Sequence, residues 1–181
     1  MISFNCIGEI VAVKPSYPFL SRFSRDNQGV AFLELTLLFP LLLALSLGVF
    51  EFGRGLQHYH VVNKAARDAA RYLARVPATC TAAGTANGTV AAAFQTNARN
   101  LALTGQISGG TPILNYWTNP ATVAINVDCI DNQTPTYRGA DFMPVMRVTA
   151  TVPYGDLGFL TILGLGGFSF GVEHEQLHIG E

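Results

Sequence analysis

The sequence H-E-Q-L-H at residues 174–178 has the residue types and spacing of a zinc-binding catalytic motif. On a helix, two histidines four residues apart share one face and bind zinc, while the glutamate acts as general base. Here the motif continues an alternating apolar pattern of Phe168, Phe170 and Val172, which favours a strand, and residues four apart in a strand are separated by about 13 Å. We therefore expect a polar strand end and no metal site, with a membrane-tethered zinc protease as a remote alternative.

Other spacings that carry catalysis are absent from the sequence. It contains no phosphate-binding glycine motif of the Walker or Rossmann type and no G-x-S-x-G nucleophile motif. We expect no enzymatic activity and no cofactor.

Glu34 is the residue whose placement most clearly calls for an explanation, because it is the single charge between Val30 and Phe50. A carboxylate at the centre of a bilayer costs about 2.5–3.5 kcal/mol and less near the edge, so a charge kept in such a segment is by default a functional hypothesis. The alternative is that Glu34 lies at the level of the lipid headgroups and is solvated there.

The segment around Glu34 predicts a transmembrane helix. Residues 30–50 are 21 residues long, and at about 1.5 Å per residue a helix of that length crosses the ~30 Å hydrocarbon core of a bilayer. Lys14, Arg22 and Arg25 precede it, which predicts a cytoplasmic N-terminus. Residues 1–29 would then be a cytoplasmic leader.

Composition agrees with a membrane protein and excludes other classes. Charged residues make up 13% of the chain, against roughly 25% in soluble domains, and the apolar content excludes a disordered chain. The net charge of −1 disfavours nucleic-acid binding, which needs basic residues to neutralise phosphates. The last 106 residues are also poor in charge, with 10 charged side chains, which suits subunit packing or an external setting.

After the membrane segment, residues 51–76 predict a projecting helix that ends at Val76, before Pro77. Its predicted apolar face has the three- and four-residue spacing of a helix. That face consists of Leu56, Tyr59, Val62, Ala66, Ala69 and Leu73. At the membrane end of this helix, Glu51 and Arg54 are three residues apart and can form an ion pair.

Residues 77–181 predict a small α+β domain in which an antiparallel sheet packs on a helix. Residues 79–89 are predicted as a loop and 89–103 as a helix capped by Thr89 and ended by Gly105. Three alternating segments, beginning near Val123, Met146 and Phe168, predict strands. The apolar residues 157–165 are too few for a second membrane span, so we expect a core segment.

The three cysteines divide between the two sides of the predicted membrane. Cys6 is on the cytoplasmic side, whereas Cys80 and Cys129 are on the far side, where an oxidising compartment allows a disulfide. Two unpaired, buried thiols are the alternative.

Residues 25–76 resemble the TadE-like pseudopilins of tight-adherence (Flp) type IV pilus systems. The resemblance rests on the sequence G-V-A-F-L-E at 29–34, on Pro40 within the apolar segment, on G-x-x-E-x-G-R at 48–54 and on A-A-R-x-A-A-R-Y at 65–72. The late sequence V-T-A-T-V-P-Y at 148–154, followed by an apolar loop and a last strand, also resembles that family. Leu35 stands where a major Flp pilin has an aromatic residue, and the chain is much larger than such pilins.

The resemblance implies a mechanism for the first residues of the helix. A prepilin peptidase would cut between Gly29 and Val30, and Glu34, the fifth residue of the mature chain, would neutralise the α-amine of a neighbouring subunit. It further implies a minor pseudopilin of the bacterial inner membrane, with a periplasmic C-terminal domain, other pilins and assembly components as partners, and possible incorporation in the pilus. The alternative is an unprocessed single-pass protein whose periplasmic domain binds components of the same machinery.

Overall fold

The computed structural model describes residues 27–132, 141–155, 158–162, 164 and 167–179. The chain divides into two compact units, Met1–Ser46 and Leu47–Glu181. Cys6, the basic residues before the apolar segment and most of the expected leader lie outside the described residues.

Helix α1 covers Asn27–Leu73, a length of 47 residues, and continues through Pro40. Within the first unit its large apolar side chains are exposed, and Leu37 is 80% exposed. Of the residues that the structure describes, this helix is the one long and apolar enough to cross a membrane. The predicted N-terminal apolar helix is confirmed.

In the second unit, the last turns of α1 form one wall of the core. Val62, Ala66, Ala69 and Leu73 are fully buried, as their spacing predicted. Two of these side chains are alanines, which let other segments of the unit approach the helix backbone closely. Residues 62–73 therefore share a core with the rest of Leu47–Glu181.

Two residues of the predicted apolar face lie outside that core. Leu56 is 46% exposed and Tyr59 is 36% exposed. Both side chains line an open groove instead, together with residues of the C-terminal strand. Periodicity identified their face of the helix but could not indicate whether the space beside it was filled.

The helix ends three residues earlier than predicted. After Leu73 the chain tightens, because Arg75 N–H donates to Tyr72 O and Val76 N–H donates to Leu73 O, both over three residues. Such a tight last turn is common at helix C-termini, and it precedes Pro77, where continuation of the helix is blocked.

The expectation of an unstructured loop at 79–89 is wrong at both ends of that segment. Strands β1 (Ala78–Cys80) and β2 (Gly88–Val90) pair antiparallel. Thr79 and Thr89 face each other across this pair and share a hydrogen bond of 2.7 Å between their hydroxyl oxygens. Three-residue strands are too short to show an alternating pattern, so periodicity does not predict them.

Helix α2 covers Ala92–Thr104, so the predicted start at Thr89 is also wrong. Thr89 belongs to β2, and the N-cap is Ala91, which makes no side-chain capping hydrogen bond. The predicted stop at Gly105 is confirmed: this residue has a φ of 73° and its N–H donates to Leu101 O. A left-handed conformation of that kind favours glycine.

The three predicted strands form one antiparallel sheet in the order β3-β4-β5. Their bounds are Val123–Asp131, Phe142–Pro153 and Ser169–Leu177. The side chains on the predicted inner face of β4 are fully buried, namely Met146, Val148, Ala150 and Val152. Together with α1 and α2 this confirms the α+β class with antiparallel sheets.

The connection from β4 to β5 contains the short helix α3, Phe159–Ile162. Its Leu160 is partly exposed and lines the groove next to α1. Leu157, Leu163 and Leu165 of the predicted core segment lie outside the described residues.

Candidate functional site

The residues of the predicted processing site lie in the first turn of α1. Val30 is 63% exposed, and Gly29 is also exposed. One turn later, Glu34 presents its side chain to the surroundings in the same exposed part of the helix. The first unit thus presents the predicted cleavage residues and the predicted assembly acid on an uncovered helix.

Glu51 and Arg54 lie three residues apart on α1, at the start of the second unit. Their closest charged atoms, Glu51 Oε1 and Arg54 Nη1, are 3.6 Å apart, which is an ion pair longer than a hydrogen bond. Glu51 is one of the most buried polar residues described, with a side-chain exposure of 3%. Burying a carboxylate to this degree is costly unless other groups bond to it.

Tyr154, immediately after β4, supplies such a group. Its hydroxyl donates a hydrogen bond of 2.7 Å to Glu51 Oε1. Its ring also receives the guanidinium of Arg54, whose Cζ atom lies 5.6 Å from the ring centroid, within the range of a cation–π contact. Arg54 Nη2 in turn donates to the backbone oxygen of Gly155. The helix and the end of β4 are therefore joined by a charged, largely buried cluster.

The cluster continues through His58 and Tyr116. The Tyr116 hydroxyl and His58 Nδ1 share a hydrogen bond of 2.7 Å, in which either atom can donate. Burial, reinforced by the positive charge of Arg54, lowers the pKa of His58, so the imidazole is neutral at neutral pH. We call Glu51, Arg54, His58, Tyr116 and Tyr154 the polar cluster.

The environment also holds the proton on Tyr154. Burial is the main cause that raises its pKa to about 12, followed by its hydrogen bond to Glu51 and the negative charge of that carboxylate. Burial likewise raises the pKa of Tyr116. Both phenols therefore keep their protons over the whole physiological range.

The local sequence explains how the polar cluster packs so closely. A Cβ atom at Gly155 would lie 2.6 Å from the ring of Tyr116, so a larger residue would displace that ring. At Gly55 on α1, a Cβ atom would be 3.9 Å from the Tyr154 ring, which is ordinary van der Waals contact. Glycine at 155 thus permits the aromatic residue to close over the helix.

Sequence reasoning found the Glu51 and Arg54 pair but missed the other three residues of the polar cluster. The sequence V-T-A-T-V-P-Y at 148–154 is one of the segments that resemble the family, and a tyrosine that ends a buried strand is the available signal for Tyr154. His58 and Tyr116 gave no such signal, because their contact joins residues 58 positions apart.

An apolar groove of about 500 Å³ lies beside the polar cluster. Helix α1 contributes residues from Gly48 to Tyr59, and the C-terminal segment contributes Leu160, Phe168 and Phe170. Tyr154 stacks on Phe168 with ring centroids 4.7 Å apart, so the polar cluster and the wall of the groove share an aromatic contact. We call this feature the α1–β5 groove.

Cys80 and Cys129 are joined in the structure, with Cα atoms 5.9 Å apart. The bond connects the end of β1 to β3. The loop between β1 and β2 adds two further links to β3: Gly84 exchanges backbone hydrogen bonds with Cys129, and Ala86 N–H donates to Asp128 Oδ1. This loop thereby covers part of one edge of the three-stranded sheet.

A second group of charged residues lies on the face of the three-stranded sheet opposite its buried face. Arg147 on β4 bonds to Asp128 of β3 at 2.8 Å and to Glu173 and Glu175 of β5 at 3.1 and 2.6 Å. These cross-strand pairs link all three strands.

The two histidines of the H-E-x-x-H sequence do not form a shared site on a helix. His174 lies in β5, while His178 follows that strand and places its Nε2 atom 2.9 Å from Val76 O. The next residue, Ile179, donates its N–H to Ala74 O. His178 thus helps to satisfy carbonyl groups after the end of α1, and no metal-binding group of three acidic, histidine or cysteine residues occurs in the described part of the chain.

The polar cluster is suited to a structural role, in which it connects two elements of the fold. It contains no serine or cysteine nucleophile, and its hydroxyl groups are held protonated. What it can do is tie α1 to the end of β4, next to a groove that is almost entirely apolar.

Residues 29–71 match the family model described as TadE-like protein. The predicted resemblance is confirmed over this segment, which covers most of α1 and includes Gly29, Glu34, Glu51 and Arg54. No curated protein and no solved structure matches the chain.

Proposed function

We propose, starting from the TadE-like segment at residues 29–71, that this protein is a minor pseudopilin that acts in initiation or assembly of a tight-adherence pilus. The observation that carries the proposal is the extent of the family match, which begins at Gly29 and continues along α1 into the second unit. The protein is a component of an assembly and performs no catalysis. Its partners are other pilins or pseudopilins and inner-membrane components of the assembly machinery.

The proposed location is the bacterial inner membrane, with residues 30–50 as a single span. The exposed apolar side chains of this segment support anchoring, because lipid would cover them. The basic residues before the span favour a cytoplasmic N-terminus. A disulfide between Cys80 and Cys129 fits an oxidising periplasm on the other side.

The direct test is pilus formation in cells with and without the gene, followed by complementation. We expect pili to be lost on deletion and restored by the wild-type chain. If deletion leaves pilus number and length unchanged, the assembly role is wrong.

Processing after Gly29 is the first specific prediction. A prepilin peptidase that cuts there removes 29 residues, and mass spectrometry of the mature protein should give Val30 as its N-terminus. A Gly29→Leu variant should keep the leader, whereas Gly53→Leu on the same helix should be processed normally. An intact N-terminus in the wild-type chain would favour the unprocessed single-pass interaction protein.

The second specific prediction concerns Glu34. We propose that its carboxylate pairs with the α-amine of Val30 in a neighbouring subunit, because a charge in lipid needs a partner. Glu34→Gln should abolish or strongly reduce pilus formation while the chain still inserts, since the neutral amide is cheaper to place in lipid.

Asp68→Asn is the matched control for Glu34→Gln. It removes one negative charge from a partly exposed position of the same helix, where Asp68 contacts Lys64 at 3.6 Å. Cells that carry this variant should form pili. Normal piliation with Glu34→Gln would contradict the proposed role of the carboxylate.

A further inference from the structure

The α1–β5 groove differs in composition from an ordinary protein surface. Its lining includes Phe52, Leu56 and Tyr59 from α1 and Leu160, Phe168 and Phe170 from the C-terminal segment. Its volume of about 500 Å³ falls in the range of ~300–1,000 Å³ that is typical of ligand sites. An exposed apolar feature of this size marks a binding surface.

Glu51 is the charged residue of this lining, and it is already engaged. Its carboxylate accepts the hydrogen bond from Tyr154 and pairs with Arg54, both of which belong to the polar cluster. The groove therefore selects an occupant through apolar contact, with no charge held available for an ionic ligand.

The position of the groove along α1 indicates which apolar occupant it meets. It begins at Gly48, within the last turn of the apolar segment 30–50, and continues for three turns to Tyr59. Phe50 and Phe52 in these turns are 63% and 69% exposed. Exposed phenylalanine and tyrosine next to a membrane segment are typical of the boundary between headgroups and acyl chains.

A protein partner would fit this lining less well. Protein interfaces are only about 56–58% apolar as a whole and include roughly one hydrogen bond per 100–200 Å². A lipid tail, by contrast, has no polar group to satisfy and matches a lining that is almost entirely apolar.

We propose that the α1–β5 groove binds an acyl chain of a membrane phospholipid, so that the second unit contacts the bilayer through β5 as well as through its helix. The proposal rests on the membrane anchoring that forms part of the proposed function. It adds a lipid-binding site to the second unit, in a groove that begins at Gly48.

Photolabelling of the full chain tests this without altering the protein. The chain is reconstituted in vesicles of phosphatidylethanolamine and phosphatidylglycerol, together with a trace of phosphatidylethanolamine that has a diazirine on one acyl chain. After irradiation, peptide mass spectrometry locates the lipid adducts. Leu37, in the middle of the membrane segment, is the reference for anchoring.

The structure offers matched positions for comparison. Leu56 and Phe168 in the groove are 46% and 42% exposed, while Ile107 and Ile113 outside it are 46% and 47% exposed. We expect labelling at the two groove residues to be several-fold higher than at the two isoleucines. Equal labelling would overturn the proposal, because exposure alone would then explain it.

A second pair of variants tests the groove itself. A Cβ atom at Gly48 or at Gly53 would meet no atom within 4 Å, so both positions accept a larger side chain, but only Gly48 lines the groove. Gly48→Phe should lower labelling at Leu56 and Phe168 several-fold relative to Leu37, and Gly53→Phe should not. An equal effect of the two substitutions would overturn the proposal.

The Leu37 reference separates the possible failures. Labelling at Leu37 without labelling in the groove would overturn lipid binding and leave the anchored pseudopilin intact. Absence of labelling at Leu37 would overturn both, since the chain would then not be in the bilayer.

Discussion

Among single residues, Tyr154 donates a hydrogen bond of 2.7 Å to the buried carboxylate of Glu51. Replacement by phenylalanine keeps the ring that stacks on Phe168 but removes the hydroxyl that donates to the carboxylate. A buried acceptor that loses its donor costs about 1–3 kcal/mol, so we expect Tyr154→Phe to lower the free energy of unfolding by that amount. Chemical denaturation of the detergent-solubilised chain measures the change.

Tyr59→Phe is the control for this substitution. It removes a hydroxyl from a side chain that is 36% exposed, and surface substitutions usually change stability by no more than about 0.5 kcal/mol. Equal effects of the two substitutions would mean that the bond to Glu51 contributes little to the fold.

The raised pKa of Tyr154 gives a separate prediction at high pH. The phenol keeps its proton in the folded state until about pH 12, whereas the unfolded chain releases it near pH 10. The folded state therefore binds more protons in this window, and the contribution to stability, fully present below about pH 10, is lost as the pH rises towards 12. Unfolding followed by circular dichroism should show a steeper decline for the wild-type chain than for Tyr154→Phe, and identical slopes would contradict the assignment.

At the scale of elements, the bond between Cys80 and Cys129 fixes the β1–β2 hairpin to the sheet. The two residues are 49 positions apart, and closing a loop of that size stabilises a fold by about 2–4 kcal/mol. Cys129→Ser should lower the free energy of unfolding by that amount. Two free thiols in the mature, denatured chain without reductant would show that the bond does not form in the cell.

The elements also show what the sequence could and could not predict. Long periodic segments were predicted correctly, namely the apolar helix and the strands around Val127 and Val148. The end of α2 at Gly105 was also predicted correctly, from the glycine itself. The β1–β2 hairpin was missed, because its strands are only three residues long and depend on the Thr79–Thr89 contact and on the covalent link to β3. Such short strands form because they pair with distant segments of the chain, and a local sequence pattern does not reveal that pairing.

The same reason limited prediction of the candidate site. Glu51 and Arg54 are neighbours on a helix, so spacing alone identified them. Tyr154 lies 103 residues from Glu51, and only the folding of β4 against α1 brings its hydroxyl to the carboxylate. The α1–β5 groove could not be predicted from the sequence for a further reason. Leu56 and Tyr59 have the periodicity of core residues whether or not the space beside them is filled.

For the whole molecule, the main consequence of the fold is that the C-terminal part of α1 and the sheet share one core. Ala66 and Ala69 of α1 belong to the same buried cluster as Val148 and Val152 of β4. A helix that merely connected the membrane to a separate domain would unfold independently of the sheet. A shared core predicts that the two unfold together.

Ala69→Leu tests this cooperativity. The larger side chain enters a fully buried position, and such overpacking costs about 1–3 kcal/mol. Hydrogen exchange of the membrane-reconstituted chain should then accelerate in β4 as well as in residues 62–73, whereas Gln57→Leu, at an exposed position of the same helix, should change neither. If only the helix responds, the two elements are energetically separate. If both respond, a force or contact applied at the membrane end of α1 is transmitted to the sheet, as a subunit built into an assembly through this helix would require.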